Sequence, residues 1–274
     1  MDHMFNSPLT QSKPSEQADV FKKLHYSEDL LVLPNIWDAA GATLLEEAGY
    51  RAVATASAAI ARANGYQDGE NIPFEIVLSI LSQIVKSVSV PVTADIESGY
   101  ASDAATLKTN IRRLIETGIA GINIEDSDPG TRKLLSIDAQ AERIRLIRRV
   151  AEREGVRLFI NARTDVYLLR PDLEPEVRLE QTIERGRAYV DAGADSVYPI
   201  LVKDEASIAS LVQELSVPVN ILATAGVSDI QVLRKLGVAR VSFGPNFQKA
   251  VLSAMKKLLS EVKSEGSHRS VTGI

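Results

Sequence analysis

The segment VDAGADSV, residues 190–197, carries a helical pattern into a glycine and leaves it as a short apolar run. Glycine enters the left-handed backbone region without a Cβ penalty, so it ends helices and redirects the chain. The same joint recurs as EEAGYRAV at 46–53, IETGIAGI at 115–122 and RKLGVARV at 234–241. A helix-to-strand joint used repeatedly predicts alternating strands and helices, and hence a parallel sheet.

The apolar runs that read as strands are Leu30–Asn35, Ala52–Ser57, Val90–Ile96, Gly121–Glu125, Leu158–Asn161, Ser196–Ile200, Val217–Leu222 and Arg240–Phe243. Helical patterns lie between them at 39–48, 74–87, 102–117, 138–153, 174–191, 204–214, 228–236 and 246–263. Eight such units predict an α/β fold of the (β/α)8 TIM-barrel class. An open doubly wound sheet is the alternative, but it usually carries a Gly-rich phosphate turn, and no GxGxxG or Walker pattern is present. The strands are expected to be apolar on both faces, as in sheets covered by helices. Residues 1–17 read as a flexible polar lead, 18–263 as one barrel domain and 264–274 as a flexible tail.

Among the 274 residues, 45% are hydrophobic and 24% charged, with a net charge of −5. No basic patch stands out, so nucleic acid and anionic membrane surfaces are not expected partners. The absence of cysteine excludes disulfides, thiolate metal sites and a cysteine nucleophile. No apolar run is long enough to span a bilayer, and a cytoplasmic location is expected. The histidines, His3, His25 and His268, lie in the opening and closing segments, which argues against an imidazole-centred site. The chemistry then falls to carboxylates, Arg, Lys, Ser, Thr, Tyr and a hard cation.

Barrel active sites sit at the C-terminal ends of the strands. The polar residues there are Asn35, Trp37 and Asp38; Thr55 and Ser57; Asp95 and Glu97; Asn123, Glu125 and Asp126; Asn161, Arg163, Thr164 and Asp165; Tyr198; and Asn220. Asp68 joins them from the turn NGYQDGE. In VTADIESGY (92–100), strand alternation points Asp95 and Glu97 the same way, and like charges so placed need a positive partner. A divalent cation with oxygen ligands, Mg²⁺ or Mn²⁺, would supply it, with one carboxylate bound directly and others through waters. Arg163 offers a planar fork for a substrate carboxylate or phosphonate. Structural roles compete: Asp38 as a helix cap, Asp126 and Asp165 as caps or ion-pair partners, Asp68 as a turn residue and Trp37 as packing.

Together LPNIWDAAGATLLEEAGYRAV, GYQDGE, VPVTADIESGY, AGINIEDS and INARTDVY resemble the isocitrate lyase / phosphoenolpyruvate mutase superfamily, from about Leu30 to Phe247. The resemblance implies a barrel whose last helix is swapped between subunits of a homodimer or homotetramer. It further implies Mg²⁺ and a small 2-oxo acid substrate, with C–C or C–P bonds cleaved or formed through an enolate. It casts Asp95 as the direct metal ligand and places Glu97, Glu125 and Asp68 on the metal waters. Arg163 would face the substrate carboxylate, Thr55, Ser57 and Ala58 would offer N–H groups and a hydroxyl, and Tyr198 and Asn220 would line the wall. Asp68, Glu125 and Arg163 are the expected catalytic group.

The departures limit the activity. The loop after the fourth strand reads DSDPGTRKLLS (126–136), without the Lys-Lys/Arg-Cys-Gly-His pattern of the lyases or the Asn of the phosphonopyruvate mutases. Ile200 stands where many lyases carry glutamate. The expectation is a Mg²⁺-dependent lyase that cleaves a C–C bond beside the carbonyl of a small 2-oxo or 2-hydroxy dicarboxylic acid, as in oxaloacetate-like decarboxylation. The alternatives are a phosphonopyruvate or phosphoenolpyruvate C–P mutase or hydrolase, and a barrel that binds 2-oxo acids without turnover. Tyr198, Lys133 and a metal-bound water are the candidates for the base that aldol-type cleavage would need.

Overall fold

The computed structural model describes residues 14–273. Its strands run, in chain order, Leu31–Leu33 with Asn35–Ile36, Val53–Thr55, Val92–Asp95, Gly121–Glu125, Phe159–Thr164, Ser196–Pro199, Asn220–Leu222 and Arg240–Ser242. Neighbours pair in parallel from the first strand to the sixth, and the last strand pairs with both the first and the seventh. A bridge between Val197 and Val219 joins the sixth to the seventh and closes the ring. The eight-stranded barrel read from the joints is therefore the fold, with the helices outside it. Pro34 has no N–H to donate and interrupts the first strand. Beyond the break, the Asn35 side chain accepts from the Phe243 and Gly244 N–H groups (2.7 and 2.9 Å) and donates to the Thr55 carbonyl (2.8 Å), stitching three strands across the seam.

The helices Ala39–Glu47, Phe74–Ser87, Ala104–Glu116, Ile137–Arg153, Pro175–Asp191, Glu205–Glu214, Ile230–Lys235 and Asn246–Glu265 match the expected segments within a few residues. At the four joints, Gly49, Gly118, Gly193 and Gly237 all have φ between +83° and +104°, the left-handed conformation that the joint demands. Helix Phe74–Ser87 shows how the outer layer is held. It buries Val77, Leu78, Leu81 and Ile84 on one stripe, each contributing about 1.5–3 kcal/mol.

Helix Pro14–His25 closes the N-terminal end of the barrel, where Phe21 and Leu24 pack on Leu31, Leu33, Ala52, Ala54, Ala120 and Phe159. It begins inside the stretch read as a flexible lead, because proline suits a first helical position and Ala18, Phe21 and Leu24 give one buried stripe. Residues 1–13 of that lead lie outside the described residues. The tail is likewise more ordered than its composition suggests: helix Asn246–Glu265 runs into it and Arg269–Thr272 forms a further turn. No described helix is long and apolar enough to cross a membrane.

The expectation of apolar residues on both strand faces is corrected inside the barrel. Thr93, Asn123, Asn161, Ser196, Asn220, Arg240 and Ser242 are all buried. They are partly satisfied by one another: Asn161 donates to Asn123 (2.9 Å) and Ser196 to Asn161 (2.6 Å). The outward alternate residues, such as Val92, Ala94, Ile122 and Ile124, form the apolar layer under the surrounding helices.

Candidate active site

Asp95 ends the third strand, and its two oxygens have different surroundings. Oδ2 accepts from the Ser57 N–H (3.2 Å) and hydroxyl (2.8 Å), while Oδ1 is buried with no partner. A buried carboxylate oxygen without a donor is costly unless a cation or another donor meets it. The Asp95 N–H donates to the Thr55 hydroxyl at 3.1 Å. Thr55 and Ser57 thus hold Asp95 in place, where the sequence expectation offered their groups to substrate. Ala58 follows half-buried in the first turn of helix Ser57–Ala63.

Glu97 does not continue the strand. The strand stops at Asp95, and Glu97 adopts a left-handed φ of 51° in a turn closed by the Gly99 N–H on Ile96 O (2.8 Å). Its Oε2 accepts from the Glu70 N–H (2.8 Å) and its Oε1 from the Tyr100 hydroxyl (3.2 Å). Glu70 in turn accepts from the Tyr100 N–H at 2.8 Å. Glu70 and Tyr100 are themselves left-handed, at φ 59° and 54°. Three non-glycine residues in that region, bonded to one another, lock the loop after the second strand onto the loop after the third. Burial pushes the Glu97 carboxyl up to about 8, and the charges of Asp68 and Asp95 add to it. Asp68 lies at the surface of its turn, and crowding by protein atoms followed by Asp95 holds its carboxyl above the usual range.

Glu125, the last residue of the fourth strand, pairs in register with Arg163, one residue before the end of the fifth. Arg163 Nη1 donates to Glu125 at 2.5 Å, while Nε and Nη2 donate to Asp165 at 2.6 and 3.3 Å. The fork expected to face a substrate is therefore clamped between two carboxylates. Burial raises the Glu125 carboxyl, against the pull of Arg163. Asp165 is an ion-pair partner, the structural alternative read for it. Asp126 is another: fully buried, it accepts from Arg185 (3.1 Å), the Tyr189 hydroxyl (2.7 Å) and the Asp165 N–H (2.8 Å). Asp38 caps helix Ala39–Glu47 through the Gly41 N–H at 2.7 Å, and Trp37 packs on the core. Tyr198 and Asn220 lie deep in the barrel; both side-chain atoms of Asn220 lack a partner.

A cleft of about 310 Å³ opens over these strand ends, lined by Asp68, Glu97, Glu125, Arg163, Asp165 and Arg132 among others. A wider groove of about 650 Å³ on helix Pro175–Asp191 shares none of these residues. Among the described residues no three carboxylate or imidazole groups converge to ligate one ion by themselves. Asp95, Glu97 and Glu125 therefore do not converge as a direct three-carboxylate cage: each oxygen of Glu97 and of Glu125 already accepts one protein hydrogen bond, from Glu70, Tyr100, Arg163 or Ser127, and keeps a lone pair that a water can use. One free oxygen, Asp95 Oδ1, inside a ring of crowded carboxyls suits an ion that keeps most of its waters, as Mg²⁺ does. Glu70, Tyr100 and Arg132 were not singled out from sequence, since a left-handed non-glycine residue leaves no compositional mark.

Residues 21–263 match the family described as phosphoenolpyruvate phosphomutase. An uncharacterised protein of Mycobacterium tuberculosis is 34% identical over 82% of this chain and 81% of its own. The 2-methylisocitrate lyase of Bacillus subtilis is 26% identical over 76% of this chain and 67% of its own. A Burkholderia cenocepacia structure provisionally assigned as a phosphonomutase is 39% identical, covers 91% of this chain and 100% of its own, and superposes with a TM-score of 0.84. Oxaloacetate acetylhydrolase in complex with oxalate shares the fold at a TM-score of 0.82, 22% identity, and 93% and 90% coverage of this chain and its own. With the eight-stranded barrel and the carboxylates at its mouth, the chain belongs to the phosphoenolpyruvate phosphomutase family, within the isocitrate lyase / phosphoenolpyruvate mutase superfamily.

Proposed function

We propose that the chain is a Mg²⁺-dependent lyase that cleaves a C–C bond beside the carbonyl of a small 2-oxo or 2-hydroxy dicarboxylic acid, as in decarboxylation of an oxaloacetate-like acid. The observation that carries this is the unpartnered, buried Oδ1 of Asp95 among the raised carboxyls of Asp68, Glu97 and Glu125. Asp95 would hold the ion, and Glu97, Glu125 and Asp68 its waters. When bound, the cation supplies a Lewis acid for the carbonyl of a 2-oxo acid.

The protein's part is positioning. Ser57 fixes one oxygen of Asp95 and leaves the other free. Arg163 pins Glu125, while Glu70 and Tyr100 pin Glu97. Loss of CO₂ needs no protein base. Cleavage next to a hydroxyl would need one, and the candidates are poorly suited: Lys133 is exposed and does not line the cleft, and burial drives the Tyr198 phenol above its ordinary range. That contrast favours decarboxylation.

Turnover of a 2-oxo acid panel with Mg²⁺ tests the proposal, with loss expected in EDTA and in Asp95→Ala. Activity that survives both refutes it, and binding without turnover would make the barrel a 2-oxo acid sensor. The Burkholderia relative favours C–P chemistry as the second reading. Phosphate released from phosphonopyruvate would indicate a hydrolase, and phosphoenolpyruvate a mutase.

We also propose that a second copy of the chain covers helix Asn246–Glu265, giving a homodimer or homotetramer. Phe247, Val251, Met255 and Leu259 form an exposed i, i+4 stripe with Leu252 beside it. Light scattering should show an oligomer that Met255→Glu dissociates; a wild-type monomer refutes this.

A further inference from the structure

The cleft over the strand ends is strongly acidic, and two guanidinium groups line it, those of Arg163 and Arg132. Arg163 is already charge-paired: three of its five N–H groups, one each on Nε, Nη1 and Nη2, donate to Glu125 or Asp165. Arg132 has no ion pair or side-chain hydrogen bond among the described residues, and it is exposed. It sits at the tip of the hairpin formed by Ser127–Asp128 and Lys133–Leu134, whose turn is closed by the Arg132 N–H on Asp128 O (2.8 Å). The nearest carboxylate on the hairpin, Asp128, is occupied by the Thr131 N–H (2.6 Å) and hydroxyl (2.8 Å). The hairpin is tethered over the site by the Ser98 hydroxyl on Ser127 O (3.0 Å) and the Leu135 N–H on Asp126 O (2.8 Å).

A 2-oxo acid presenting its carbonyl end toward Asp95 must leave any second acidic group in this carboxylate-lined space. Like charges there raise the cost of binding unless a cation answers them. We propose that Arg132 binds the distal acidic group of the substrate and so selects doubly acidic 2-oxo acids over monoacids. This rests on the 2-oxo acid reading above. A planar carboxylate and a tetrahedral phosphonate both present a pair of anionic oxygens that a guanidinium fork recognises.

The test measures affinities with Mg²⁺ by calorimetry, for oxalate and pyruvate, which lack a distal acid beyond the 2-oxo acid end, and for oxaloacetate and phosphonopyruvate, which carry one. Arg132→Gln should weaken the last two at least tenfold and leave oxalate and pyruvate within twofold, with Arg132→Lys recovering part of the loss. Whichever of oxaloacetate and phosphonopyruvate loses more identifies the distal group. An unchanged thermal midpoint would show that the barrel remains folded. Equal losses for all ligands, or none for any, overturn the role of Arg132 while leaving the metal site standing. If wild-type protein binds no oxalate with Mg²⁺, the 2-oxo acid reading fails and this inference falls with it.

Discussion

Glu97 should make the metal-free protein lose stability as the pH rises. Its carboxyl sits at about 8 in the fold against an ordinary 4.5, because burial and then Asp68 and Asp95 disfavour its charge. The native state therefore binds this proton more tightly than the unfolded chain, so stability is greatest at low pH and falls as pH climbs from about 4.5 to about 8. At about 1.4 kcal/mol per pH unit across that window, this one group costs about 4 kcal/mol between pH 5 and pH 9. Glu97→Gln removes the titration and keeps the shape, since the amide oxygen can accept from the Glu70 N–H while the amide nitrogen donates to the Tyr100 oxygen. Urea unfolding in EDTA, compared between wild type and Glu97→Gln across that range, isolates the effect from other titrating groups. The wild type should weaken relative to the variant by up to about 4 kcal/mol, and Mg²⁺ should flatten the wild-type slope. Parallel curves would refute the assignment of a crowded, buried, proton-holding carboxyl.

Three further perturbations probe the scaffold. Gly193→Ala, at φ +104°, should cost about 1–2 kcal/mol in the urea midpoint because a Cβ strains that conformation. Arg185→Leu leaves fully buried Asp126 without its cation and should cost about 3–5 kcal/mol, readable as a fall in Tm. Arg240 is fully buried, has no carboxylate partner among its hydrogen bonds, and is pushed down to about 10 by burial. Arg240→Met should therefore leave stability unchanged or raise it by up to about 3 kcal/mol at neutral pH; a large loss would show that the guanidinium is compensated.

The barrel was legible because a helix terminus, a glycine and an apolar run make a local signal that the sequence repeats, and strand and helix bounds followed to within a few residues. The acidic mouth was legible for the same reason: Asp95, Glu97, Glu125 and Arg163 fall where strands end. What the residues do to each other was not. Arg163 read as a free substrate fork because Asp165 lies two residues away in sequence and reveals its bonds only in three dimensions. Ser57 read as a substrate donor because its bond to Asp95 spans 38 residues. The polar barrel interior was hidden because inward and outward residues alternate in runs too short to show a period, and helix Pro14–His25 because its polar face dominates its composition. In DSDPGTRKLLS the missing Cys and His were visible, but not the hairpin that holds Arg132 over the cleft.

In the proposed reaction Asp95 is the attachment point for a cation that recruits a 2-oxo acid. The most direct measurement is calorimetric titration of oxalate into wild-type protein and Asp95→Asn, each with Mg²⁺ and with EDTA. Oxalate should bind the wild type only with Mg²⁺ and should be weakened at least a hundredfold in Asp95→Asn. Equal binding in EDTA, or an Asp95→Asn variant that binds like the wild type, would contradict the account.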